Sequence, residues 1–398
     1  MGDLPEIDLT DPAVVRDPFT VYGEARERSP LARLAMPGFG TMWLVTRHAE
    51  ARDMLSDPRF ALRADSYLRP DVPEDCLPYM RTMGEMDGPE HTRLRRLVSP
   101  AFTARRAGAF RPRIEPLVGR LLDGLPGRAG GGPVDLVPHF TRPLPMDVIC
   151  ELVGIPEPDR PRWREYGATV AASAGAEFAA AIPGIMAGAR AAVARRRAEL
   201  GDDVISDLVR LQTGHADQLT DAEMVTLIWH LVIAGQTPAN LVANAVAALL
   251  SHPGQLAALR ADPALLPRAV EEVMRWGGPA LLSVPRFTRE DVELGGVRIP
   301  AGEAVTVSIA AANRDPRVFG DPDRFDIARA PAGGGAGHLG FSHGPHFCLG
   351  ASLARVETEV ALAALLRRFP GLELAATVEE LRAPDPGNWR LTSLPVNL

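Results

Sequence analysis

From Thr220 to beyond Leu250 the chain carries an apolar run too long for a strand. It opens on Thr220-Asp221-Ala222-Glu223, the spacing at which a Thr hydroxyl and a Glu carboxylate each satisfy the other's free amide at a helix start. The pattern predicts one long helix, buried over most of its surface, that serves as the spine of the fold.

Other helix signals cover roughly residues 263–276 and the stretch from just after Cys348 to about Phe369. Strand signals are fewer. Residues 41–46 alternate as a strand, residues 292–299 read as a hairpin with a Gly295-Gly296 turn, and residues 305–309 add another strand. The predicted class is mainly α with small β-sheets. Two Gly-rich stretches, 127–133 and 330–337, are the linker candidates, and both are too short to separate independent domains.

All 43 basic residues are Arg, the net charge is −7, and no long basic run occurs, which argues against nucleic-acid binding. Cys76, Cys150 and Cys348 form a sparse, odd set that suits a reducing cytoplasm rather than a disulfide framework. The first thirty residues lack the apolar core of a signal peptide. No uninterrupted apolar stretch of about 18 residues is present, so no membrane span is expected.

Cys348 precedes a predicted helix, whose free amides and dipole would stabilise a thiolate and lower its pKa. Gly344 and Gly350 flank it and would let the chain lie against a flat ring. Phe341 and Phe347 could keep the sulfur dry. Three readings compete here: a small buried hydrophobe, a zinc site with His343, His346 and His338, and a thiolate ligand to a haem iron.

The motif Phe341-x-x-Gly344-x-His346-x-Cys348-x-Gly350, followed by Ala354-Arg355, resembles the haem-binding loop of soluble bacterial cytochrome P450s. Glu272-x-x-Arg275 resembles the family's buried pair behind the haem. Asn313-Arg314-Asp315-Pro316 and Asp321-Pro322-Asp323-Arg324-Phe325 resemble its meander. The resemblance runs from Trp43 to the C-terminus. It implies haem b held by Cys348 between the long helix and the cysteine loop, with His91, Arg95, Arg286 and His346 on the propionates. It implies one domain over residues 1–398: a β-richer part at about 1–60, a helical core at about 88–276, a β region with the haem loop at about 280–350, and a terminal helix and β turn at 351–398.

The sequence departs from the family where oxygen is activated. The usual motif there carries an acid and an alcohol that relay protons. This chain reads Ala234-Gly235-Gln236-Thr237-Pro238 and has no carboxylate. Either Thr237 is the alcohol and Gln236 replaces the acid, or Thr237 replaces the acid and Pro238 the alcohol. Pro238 should kink the helix and free a carbonyl of the preceding turn for water or substrate. By resemblance the substrate pocket takes Met80, Met83, Met86, Ile233, Ala234, Leu282, Ser283, Val284, Asn388 and Trp389, and residues 168–191 form either a mobile lid or an ordinary Ala-rich helix.

The function implied is a cytoplasmic monooxygenase. It would use O2 with electrons from a separate ferredoxin and ferredoxin reductase to oxidise a small or medium organic substrate in secondary metabolism. Oxidative coupling without oxygen insertion, a peroxide-driven peroxygenase, and a non-catalytic haem sensor are the rival expectations.

Overall fold

The computed structural model describes residues 4–67, 71–172, 176–214, 219–330 and 337–398. Helices dominate. α1 (Pro12–Arg16), α2 (Pro18–Arg28) and α3 (His48–Ser56) accompany the first strands. α4 (Gly88–Val98), α5 (Ala104–Asp123), α6 (Leu125–Ala129) and α7 (Pro143–Val153) lead to α8 (Arg160–Ala172), α9 (Ala176–Ala198) and α10 (Val204–Gly214). At the centre lie α11 (Asp221–Ala234) and α12 (Pro238–Ser251). After them come α13 (Pro253–Ala261), α14 (Leu266–Gly277), α15 (Ile309–Asn313), α16 (Ala351–Arg368) and α17 (Val378–Leu381).

The largest sheet runs β1 (Glu6–Asp8), β2 (Leu31–Met36), β3 (Gly40–Val45), β9 (Ala304–Val307), β6 (Arg286–Thr288) and β4 (Phe60–Ala61), in that spatial order. β10 (Glu373–Leu374), β11 (Pro395–Asn397) and β5 (Val134–Asp135) form a second sheet, and β7 (Val292–Leu294) pairs with β8 (Val297–Ile299) in a hairpin. The hairpin turns on Gly295 and Gly296 at φ 57° and 75°, the left-handed pair that a two-residue turn requires.

The central helix starts as expected, with Thr220 and Glu223 capping each other. It is not continuous. Regular helix stops at Ala234 and resumes at Pro238, so the spine is two helices joined through Gly235-Gln236-Thr237. α12 buries Leu241, Val242, Ala243, Ala245 and Val246; each large aliphatic side chain so buried contributes about 1.5–3 kcal/mol. It packs against α14 and α16, while α11 packs against α7 and α9. By length and composition Ala176–Ala198 and Asp221–Ser251 are long and apolar enough to pass a membrane-span test, which for two helices is weak evidence. The second is the buried spine of the core, which passes the same test.

Two smaller differences have local causes. The strand expected over 305–309 ends at Val307, because Ser308 caps α15 by accepting from the Ala311 amide at 3.1 Å. The helix expected from 263 begins as a 3-10 turn, Pro263–Leu265, and becomes regular at Leu266. Residues 331–336 of the second linker candidate lie outside the described residues, as do 173–175 of the lid candidate, which otherwise falls on α8 and α9.

Candidate active site

The backbone of the cysteine loop is fixed by its glycines and its own hydrogen bonds. Ser342 and Gly344 adopt φ 63° and 71°. A Cβ on Gly344 would stand 2.6 Å from the Leu55 carbonyl oxygen, so only glycine lets the loop approach α3 this closely. The Cys348 amide donates to Phe341 O at 2.8 Å and the Phe347 amide to Gly344 O at 3.0 Å, which closes the loop on itself.

Cys348 lies at the start of α16 and its side chain is open to solvent, as is the 41% exposed ring of Phe347. Phe341 alone is buried, with Arg355 4.4 Å over its ring, so the expectation that both rings cover the sulfur is corrected. Burial among protein atoms pushes the Cys348 thiol up, although the Gly350 and Ala351 amides, Arg95 and Arg355 all favour the thiolate. The helix start thus acts as expected, but desolvation outweighs it in the protein alone. Gly350 has an ordinary φ of −82°, and no atom lies within 4 Å of where its Cβ would stand. The protein itself therefore gives no reason for glycine there.

Beside this sulfur the structure gathers the four expected propionate donors, two arginines and two histidines. The His91 and His346 rings lie 4.1 Å apart. His346 Nε2 hydrogen-bonds Asp87 Oδ1 at 2.8 Å, so this nitrogen is already engaged by a carboxylate. Arg286 is buried and donates to Leu55 O at 2.8 Å, and Arg95 donates to the Phe347 carbonyl. Burial lowers the pKa of Arg286 and of Arg95, and it depresses His91 to about 4, helped by His346 and Arg95. One carboxylate, Asp87, thus faces several cationic groups, an arrangement that calls for further anions. Sequence reasoning missed Asp87; its position just before Gly88-Pro89 at the start of α4 was the available signal.

Behind the loop, Arg275 and Glu272 form a bidentate pair at 2.7 and 2.8 Å, each 3% exposed. Arg275 also donates to the carbonyls of Asn313, Pro322 and Arg324. Arg329, absent from the sequence reading, donates to Glu272 at 3.1 Å and completes the cluster. The neighbouring Glu271 binds His338 at 3.1 Å and Arg355. Adjacent carboxylates of α14 therefore hold the meander and the cysteine loop at once. His338 is spent on Glu271, and no cluster of three His, Cys, Asp or Glu side chains suited to a metal ion exists among the described residues.

At the joint of the central helix, Ala234 and Thr237 are exposed, although they lie between two buried helices. Pro238 has no amide for Ala234 O, the carbonyl four residues back. That carbonyl is not free: the Thr237 amide reaches it at 3.2 Å and the Thr237 hydroxyl at 2.9 Å, which corrects the expectation of an open acceptor. Gln236 turns the other way. A Cβ on Gly167 of α8 would stand 2.6 Å from its Oε1. Gly235 packs so closely on Ile149 that a Cβ would meet Cγ1 at 2.4 Å.

The expected substrate contacts separate. Val284 is open, at 40% exposure, while Met80, Met83, Met86 and Ile233 are buried in the main core. Leu282 packs on the N-terminal cluster. Trp389 packs on the same cluster, edge-on to Phe19 at 4.8 Å and under Arg382, and lines a groove of about 1250 Å³ beside α2 and α14.

The model for the family described as Cytochrome P450 matches residues 189–386. Over 407 residues the chain is 40% identical to "Cytochrome P450 107B1" of Saccharopolyspora erythraea, covering 99% of this chain and 96% of that one. The chain belongs to the cytochrome P450 family. Similarity to "Cytochrome P450 monooxygenase PikC" of Streptomyces venezuelae is 41% identity, covering 96% of this chain and 91% of that one. The ligand-free P450 monooxygenase TamI superposes with a TM-score of 0.87 at 36% identity, covering 99% of this chain and 94% of that one. P450s are haem-thiolate enzymes that carry haem b, and the residues here fit it. The accessible sulfur offers a ligand, the under-neutralised cations would hold the propionates, and the open space at Gly350 leaves room beside the loop.

Proposed function

We propose that this P450 is a cytoplasmic monooxygenase that inserts one oxygen atom from O2 into a medium-sized, largely apolar secondary metabolite. We further propose that its electrons come from a reduced ferredoxin and ferredoxin reductase. The observation that carries the reading is the solvent-open Cys348 at the start of α16 beside the cluster of His91, Arg95, Arg286 and His346. The names of relatives point to the substrate class: among them are a mycinamicin IV hydroxylase/epoxidase and a 6-deoxyerythronolide B hydroxylase.

When bound, haem supplies the iron at which dioxygen is reduced. Cys348 would hold it through its sulfur, with the Gly350 and Ala351 amides steadying the sulfur's charge. Thr237 is the alcohol in this reading, because it stands on the open face with Ala234, while Gln236 occupies the acid's place and faces α8. Its hydroxyl holds its proton toward Ala234 O and must turn from that carbonyl to pass one on. Val284, open at the surface, is the expected substrate contact that remains accessible, while Met83, Met86 and Ile233 are buried in the main core.

Turnover with ferredoxin and reductase under oxygen-18 gas tests the proposal. The expected product carries one labelled oxygen. Unlabelled product would overturn oxygen insertion in favour of coupling, and turnover on peroxide alone would remove the ferredoxin.

A further inference from the structure

His230 lies four residues before Ala234 on α11, so both project from one face of that helix about 6 Å apart along its axis. Ala234 is open, and His230 is intermediate in exposure as a residue although its Nδ1 is enclosed. Across from it stands the 3-10 turn Met83–Glu85: a Cβ on Gly84 would sit 3.7 Å from His230 Cε1, 3.1 Å from the Tyr67 hydroxyl and 3.6 Å from Thr82 Oγ1.

The hydroxyls of that roof are engaged. Tyr67 donates to Gly84 O at 3.0 Å and Thr82 donates to Glu85 at 3.3 Å. His230 differs, because its Nδ1 is buried without any hydrogen-bond partner. Unpartnered buried nitrogens are costly and uncommon in folded proteins, and they mark places where a ligand completes the structure. Desolvation holds the His230 pKa down at about 4, so the ring is neutral at physiological pH. A neutral imidazole has one donor and one acceptor nitrogen, and a hydroxyl can satisfy either.

We propose that His230 is the specificity-determining anchor of the pocket, hydrogen-bonding an uncharged hydroxyl on an otherwise apolar substrate. The anchor fixes how the scaffold lies against the open face of Ala234 and Thr237. The inference rests on reading this cleft as the substrate site of a P450.

The test uses haem-loaded enzyme and probes that do not require the natural substrate. N-alkylimidazoles ligate the haem iron through the ring, and their tails scan the pocket. Each chain length is titrated with and without a terminal hydroxyl, following the shift of the haem absorption band. At the length that reaches His230 the alkanol should bind about fivefold tighter than the matched alkane, the worth of one net hydrogen bond. His230→Leu should erase that preference while leaving alkane binding within about twofold, and His230→Gln should keep part of it. Absence of a preference at every length, or its survival in His230→Leu, would overturn the assignment. Failure of all the azoles to shift the band would instead defeat the haem-thiolate reading beneath it.

Discussion

Glu272 shows how much rests on single groups in this protein. It accepts from Arg275, Arg329 and the Asp326 amide in a site closed to solvent. Removing one partner leaves an uncompensated buried charge, which costs about 3–5 kcal/mol. Arg275→Ala should therefore fail to retain haem or melt far below the parent, measured by haem content and thermal unfolding; an unchanged melting temperature would contradict the cluster's role. Glu357 makes the opposite case. Its Oε1 has no partner, and burial raises its pKa well above 4.5. The unfolded chain releases this proton at a lower pH than the folded one, so stability falls as pH rises above about 4.5. Glu357→Gln should stabilise the protein, by an amount that grows as pH rises above about 4.5. A pH-independent gain would show that the carboxyl does not stay protonated. The Glu272–Arg275 spacing was legible because both partners lie on one helix turn. Arg329 and Asp87 were not, because tertiary folding alone brings them to their partners from distant segments.

At the scale of elements, the joint between α11 and α12 is where local rules and fold diverge. Helix propensity and the capping box read correctly, and Pro238 correctly signals an interruption. What the pattern could not reveal is that Thr237 closes the Ala234 carbonyl or that Gly235 sits against Ile149, since both depend on packing. Gly235→Ala should cost about 1–3 kcal/mol through overpacking, read as a lower melting temperature. A second change, Ile149→Ala, should restore part of it; no rescue would mean that the joint is set by backbone preference instead. Thr237→Ala should lower product formed per electron consumed while leaving haem content intact. Full coupling in that variant would remove the hydroxyl from proton delivery.

For the molecule as a whole, the central helices α11 and α12 pack into the main helical core, with α16, which starts just after Cys348, lying against α12. The fold class was readable from periodicity, and the cysteine loop from its motif. The substrate wall was not, because exposure inside a cleft depends on which side chains the surrounding helices cover. Haem binds the folded chain, so its removal should lower stability by about 3–4 kcal/mol relative to enzyme in haem at about 100 to 1,000 times Kd. Calorimetry before and after extraction checks this. The most direct test of the central claim is the absorption spectrum of the dithionite-reduced enzyme under carbon monoxide. With Cys348 as the thiolate ligand, the Soret band must appear at the red-shifted position diagnostic of sulfur ligation, and Cys348→His must abolish it. A reduced enzyme with bound haem but no red-shifted band, or a Cys348→His variant that keeps it, would contradict the account.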